Sequence, residues 1–323
     1  MPIACATGCA RVTLMNRLAG IVPALVVVAV IIAVWTLAVV PMNAHLTADQ
    51  AQRDGLVMTP EAPAERQEYS GLVLAFKNPQ IIPLTYTQTR PRLPSPHQVT
   101  AELYDSVFTK KITSKRSLVY HGWVTLSATL LGFAIGTGLG ILLAIGIVYS
   151  RTMDKSVMPW AITSQTIPIL ALAPMIIVML GAIGIQGLLP KSVISAYLSF
   201  FPVVVGMVKG LRSPDAMQLD LLRTYSASPS QGFWKLRLPA SVPYLFASLK
   251  IGISAALVGA IVGELPTGAR AGFGARMLVG DQYGQPMVTW AALFAAAITA
   301  AALVAILTLI ERQTLRRMGM EAA

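Results

Sequence analysis

Glu264 is the acid closest to mid-membrane in this chain, within Val262-Gly263-Glu264-Leu265-Pro266 at the far end of an apolar run. An ionised carboxylate in lipid is costly unless it is paired or wet, so such a residue is a functional-site hypothesis by default. Two readings stay open. Either Glu264 is an ionisable group on a translocation path, or Pro266 ends the helix and the acid sits at the interface, within reach of Arg270. Ser164, Gln165 and Thr166, just before Pro168, form the other polar cluster inside an apolar run. They line a path or bond between helices.

Other chemistry is sparse. His45, His97 and His121 stand at no metal-ligand spacing and read as a fortuitous distribution. Cys5 and Cys9 are the only cysteines, and a lone CxxxC pair is a weak metal signal, so they read as reduced thiols. There is no Gly-Lys pair, hence no Walker loop to cradle a nucleotide phosphate. No nucleophile–base–acid set emerges. The expectation is a chain without catalytic residues, metal or cofactor of its own.

Composition says where these residues must be held. Only 12% of the chain is charged and 55% is hydrophobic, with mean hydropathy +0.65, which places it in a membrane. The net charge of +11 does not point to nucleic acid, because Lys and Arg gather in the joints between apolar runs and in one long loop. The expected fold is all-α and polytopic with six transmembrane helices, read at 21–40, 123–148, 157–180, 188–208, 245–265 and 287–310.

The division expected along the chain is a cytoplasmic N-terminus with the first span at 1–40, a Pro-rich periplasmic loop at 41–122, a five-helix core at 123–311 and a tail at 312–323. Residues 47–68 have the composition of a flexible segment. After Ser95-Pro96, Val99, Leu103, Val107 and Phe108 share a face, which predicts a short amphipathic helix at the membrane surface. Gly132, Gly136 and Gly140 recur every fourth residue and read as a helix-packing ridge, with a flexible gate as the functional alternative. Pro159, Pro168 and Pro174 in one span predict a kinked or broken helix whose freed carbonyls are satisfied inside the bundle or face a wet cavity. Basic residues of the short loops (Arg11 and Arg17, Arg151 and Lys155, the 209–237 cluster, and Arg312, Arg316 and Arg317) alternate to one side, so both termini are expected to be cytoplasmic.

One polar island interrupts the core. Asp220–Pro239, inside a cytoplasmic loop at 212–243, reads DLLRTYSASPSQGFWKLRLP. Ser213-Pro214-Asp215 and Ser228-Pro229 each carry a helix-start signal, predicting helix, break, helix. Tyr225, Phe233 and Trp234 are then available to touch a partner. With almost no charge expected inside the spans, energy is expected to come from another subunit through this island.

The island resembles the cytoplasmic loop of binding-protein-dependent ABC importer permeases, of the form E-A-A-x3-G-x9-I-x-L-P. Anchored on Leu238-Pro239, the I position is Leu236, the glycine is replaced by Ser226 and E-A-A by Asp220-Leu221-Leu222. LPSP at 93–96, TLLGFAIGTGLG at 129–140, PILALAP at 168–174, FFP at 200–202 and KLRLPASVPYLFASLKIG at 235–252 extend the resemblance to the nitrate/sulfonate/taurine branch over 93–312. It implies the type I importer permease architecture in a bacterial inner membrane. It also implies that Asp220, Leu221, Leu222, Arg223, Tyr225, Ser226, Ala227, Ser228, Phe233, Trp234, Leu236, Leu238 and Pro239 form a coupling element on a separate ATPase, which holds the ATP and Mg. A second permease chain and a periplasmic substrate-binding protein are the other implied partners. An ion-coupled carrier or channel using Glu264 is the alternative.

Overall fold

The computed structural model of the chain describes residues 6–266, 269 and 271–319, with side chains from Val22 onward. Cys5 and Arg270, and the side chains of Cys9, Arg11 and Arg17, lie outside the described residues. Among the described residues every regular element is helical. Among the described residues five helices are long and apolar enough to cross a membrane, or six spans if one bent pair counts as a single span. The chain divides into two compact units, one running to Glu102 and including Tyr283–Trp290, the other made of the remainder.

The first unit is built on α1 (Ala6–Arg53), which continues through Pro41 well past the expected end of the first span. The segment expected to be flexible, 47–68, holds the end of α1 and α2 (Pro63–Glu68), and α3 (Gly71–Lys77), α4 (Ile82–Thr85) and α5 (Pro96–Tyr104) follow it. Ala44, Ala48 and Ala51 recur at helical spacing and give a small-residue stripe on which Met58, Leu74, Ala75 and Ile81 pack. The polar residues that made the segment look solvated are spent internally. Arg66 is buried and bonded to Asp49 at 3.1 Å and to Gln52. Asn43 Nδ2 donates to the carbonyls of Thr85 and Leu93, and its Oδ1 accepts from Leu93 N–H. Asn78 pairs in the same two-way manner with Thr59. These amides replace ladder bonds that short helices cannot supply, which is why composition alone misreads the segment.

α5 begins where Ser95-Pro96 predicts, with Ser95 N–H held by Gln98 Oε1 at 3.1 Å, and continues as one π-turn over Asp105–Thr109. Val99 is buried, and Leu103 and Val107 pack on a core cluster with Leu118, Phe273 and Ala292; Phe108 alone faces outward.

The second unit contains α6 (Leu118–Tyr149), α7 (Arg151–Ser164), α8 (Ile169–Ala182), α9 (Leu188–Leu211), α10 (Ala216–Thr224), α11 (Pro229–Gly232), α12 (Leu238–Val262), α13 (Phe273–Gln282) and most of α14 (Pro286–Arg317). Its centre is α9, held between α6 and α12 by exchanged small residues. A Cβ on Gly132, Gly136 or Gly140 of α6 would lie 2.4 Å from Ser195 Cβ, 2.2 Å from Ser199 Oγ or 2.9 Å from Val203 Cβ of α9. On the opposite contact, Gly206 and Gly210 of α9 leave the same kind of room for Ser248 and Ser241 of α12. Close backbone approach replaces the hydrophobic drive that lipid cannot supply.

The proline-rich third span is broken, with α7 and α8 meeting at 99°. Its freed carbonyls find partners within the bundle: Ser164 O accepts from Tyr197 Oη, and Thr163 O accepts from Thr166 Oγ1 at 2.8 Å.

Candidate functional site: an exposed helical loop and a buried polar knot

The island folds as helix, break, helix. Its first helix is capped by Asp215, whose N–H donates to Gln218 Oε1 at 3.2 Å. The sequence places that cap at Ser213, but the Ser213 hydroxyl bonds back to Gly210 O at 2.8 Å and Pro214 is buried. The second start is at Ser228, which exchanges side-chain and backbone bonds with Gln231.

Between them α10 closes in a two-bond turn. Ala227 N–H donates to Leu222 O at 3.0 Å and Ser226 N–H to Arg223 O at 2.9 Å, the pattern of a Schellman cap. That cap needs a left-handed residue, and Ser226 takes it with φ 52°. The position that reads as glycine in the resembled pattern is therefore the one whose backbone favours glycine.

The loop is fixed at its base. Arg212 pairs with Asp154 at 3.0 Å, Arg237 donates to Leu211 O at 3.0 Å, and Phe233 packs with Leu238 on the core cluster of Ile147, Val204 and Met207. Phe233 is half-buried and faces inward, 6.0 Å from the Tyr149 ring, because the π-turn at 233–237 rotates it toward α6. Leu236, Leu238 and Pro239 are half-buried at the same base. α10 buries nothing. Met217, Leu221 and Tyr225, spaced by four, are 82%, 57% and 77% exposed, and Trp234 is 64% exposed. Asp220 and Arg223 pair with each other on the surface at 3.0 Å. Met217 was missed from sequence because it precedes the stretch that carries the pattern; the i, i+4, i+8 spacing was the available signal.

A second polar site lies where α6, α9, α12 and α13 meet. Glu264 stands two residues beyond α12, with its side chain fully buried. Its carboxylate accepts from Thr125 Oγ1 at 2.9 Å, Gly274 N–H at 3.0 Å and Lys191 Nζ at 3.4 Å. Lys191 also donates to Ala271 O, and Gly272 N–H donates to His121 Nδ1 at 2.9 Å. Among the described residues the ionic partner of Glu264 is Lys191, contributed by the neighbouring helix α9. His121 belongs to the same knot, a role that its sequence spacing to other histidines does not show.

Lys250 and Glu311 make a further ion pair at 2.7 Å between α12 and α14. Sequence reading passed over it because Lys250 and Glu311 stand 61 positions apart, one inside the fifth span and the other just past the sixth. Of the polar cluster at the break, Ser164 is buried, Thr166 is exposed, and Gln165 Nε2 is buried with no hydrogen-bond partner. Among the described residues no group of three or more His, Cys, Asp or Glu is arranged to hold a metal ion.

Comparison with known proteins places this geometry. The family described as "Binding-protein-dependent transport system inner membrane component" matches residues 136–320, more than half of the chain. A probable ABC transporter permease protein of Haemophilus influenzae is 33% identical over 200 residues, covering 62% of this chain and 76% of that one. The formylaminopyrimidine transport permease protein of Halalkalibacterium halodurans is 32% identical, over 56% and 68%. A putative aliphatic sulfonates transport permease protein of Bacillus subtilis is 26% identical, over 64% and 73%. The MetNI methionine ABC transporter in an inward facing conformation shares the fold, with TM-score 0.52 and 18% identity over 62% of this chain and 95% of that one. The chain belongs to the family of inner-membrane permease components of binding-protein-dependent ABC transport systems.

Proposed function

We propose that this chain forms half of the path of an ATP-driven importer and receives its energy through α10–α11. The observation that carries this reading is the exposed Met217–Leu221–Tyr225 stripe on a loop whose base is pinned by Arg212, Arg237 and Phe233. A short helix with apolar anchors at i, i+4 and i+8 suits a groove on another protein. A rigid base passes displacement of that helix to α9 and α12, which flank it in sequence. In this reading the loop and both termini are cytoplasmic, ATP and Mg sit on a separate ATPase subunit, a second permease chain completes the path, and a binding protein delivers the solute on the opposite face.

The solute is small and is chosen mainly by the binding protein. Relatives named for formylaminopyrimidine, riboflavin, aliphatic sulfonates and nitrate support a small polar or anionic molecule. Gln165, with its amide nitrogen buried and unpartnered at the α7–α8 break, is the side chain best placed to meet it. Glu264 acts as a tie between helices, since Thr125, Lys191 and Gly274 already take up its carboxylate.

The test is purification of tagged chain in mild detergent, with mass identification of what accompanies it. An ATPase subunit and a binding protein support the proposal. A chain that purifies alone, from cells whose membranes hold no ATPase responding to it, overturns it.

A further inference from the structure

Helix α3, Gly-Leu-Val-Leu-Ala-Phe-Lys, is apolar on both faces. One face is accounted for, since Leu74 and Ala75 pack on the alanine stripe of α1. The other is bare: Leu72, Val73 and Phe76 are 53%, 41% and 82% exposed. A helix that is apolar all round is normally covered on all sides.

The height of α3 along α1 indicates what covers it. The uncharged run at 21–40 spans, at 1.5 Å per residue, about 30 Å, the thickness of the hydrocarbon core. Gly71 lies directly on Pro41, where a Cβ would be 2.0 Å from the carbonyl oxygen, so α3 starts where that run ends. Two aromatic contacts lie within the same run, one turn nearer the bilayer centre. Trp35 Nε1 donates to Pro94 O at 3.1 Å and stacks on Trp290 at 5.3 Å, and Tyr86 Oη donates to Thr36 O. Trp and Tyr collect at the membrane–water boundary. At the far end of α3, Lys77 Nζ rests 3.7 Å above the Tyr69 ring, an apolar stem and charged tip suited to that boundary.

We infer that the Leu72–Val73–Phe76 face of α3 rests in the lipid headgroup layer, making residues 41–95 a membrane-surface anchor rather than a free loop. α3 is seven residues long, so it reaches at most about 10 Å beyond the hydrocarbon edge, and interfacial helices bury apolar side chains to a comparable depth of about 5–10 Å. The segment lies outside residues 136–320, the part of the chain that matches the permease family. The inference does not depend on which side of the membrane the segment occupies.

The test places a single fluorophore on Phe76→Cys in the full chain carrying Cys5→Ser and Cys9→Ser, in phosphatidylcholine nanodiscs with and without headgroup spin-labelled phosphatidylcholine. Phe76 is an exposed position, so the substitution leaves the fold intact. Glu65→Cys is the control, on a helix that Arg66 ties to Asp49 and Gln52, about 12 Å or more beyond Pro41. The expected result is several-fold stronger lipid quenching at 76 than at 65. Equal quenching at the two positions overturns the inference. So does a label at 76 that lipid does not quench but that is shielded by added binding protein or by a second copy of the chain.

Discussion

A Cβ on Gly272 would stand 2.0 Å from the carboxyl carbon of Glu264, on a backbone with φ +126°. No L side chain fits there. Gly272→Ala is therefore expected to break the knot without touching a charge. The loss will appear as a lowered melting temperature of the detergent-purified chain and faster proteolysis between residues 263 and 275.

The charge in that knot makes its own prediction. Removing one partner of a buried pair typically costs about 3–5 kcal/mol, because the other charge is left without compensation. Lys191→Met and Glu264→Ala should each destabilise the chain strongly, and the Glu264→Gln/Lys191→Met double variant should recover part of the loss. Folded Glu264→Gln is expected to retain uptake that ignores the proton gradient. Uptake that becomes gradient-driven, or is lost in a well-folded Glu264→Gln chain, would revive the ion-coupled alternative.

Ser226 holds a conformation that costs an L residue about 1–2 kcal/mol. Ser226→Gly should slow hydrogen exchange of the Ala227 amide, which closes the α10 cap on Leu222. Ser226→Val should speed it by about tenfold or more, since a β-branched side chain is worse in this region.

The α6–α9 seam separates packing glycines from incidental ones. Gly136→Val meets Ser199 Oγ and the Ala196 carbonyl, and overpacking of this kind costs about 1–3 kcal/mol or more. Gly138, with nothing within 4 Å of a Cβ, should accept Val with little change. Size-exclusion profiles and yields of the two variants in the same detergent compare them directly.

Much of this was readable in advance, and the failures have physical causes. Apolar run length located the spans, and three prolines announced a kink or break in the third, whose place at Pro168 only the structure gives. The second helix of the island was readable from Ser228, whereas the first cap, placed at Ser213 from sequence, belongs to Asp215 because the Ser213 hydroxyl is taken by Gly210 O. What composition hid was long-range pairing. Asn43, Arg66 and Asn78 look like solvated residues until the partners 14 to 50 positions away are known. Glu264 could be flagged as costly, but its partner Lys191 lies 73 positions earlier and Thr125 lies 139 positions earlier. Phe233 and Tyr225 looked alike as aromatic residues of one loop; only the π-turn distinguishes the one that packs inward from the one that is offered outward.

The central claim is that the α10 stripe carries energy into the core. Its most direct test is Met217→Ser/Leu221→Ser/Tyr225→Ser in the assembled transporter, with uptake and ATP hydrolysis measured together in proteoliposomes. The chain should insert and fold, since none of the three side chains packs on the core, while uptake falls to background and hydrolysis no longer responds to the binding protein. Full uptake in the triple variant, with normal stimulation of hydrolysis, would contradict the account.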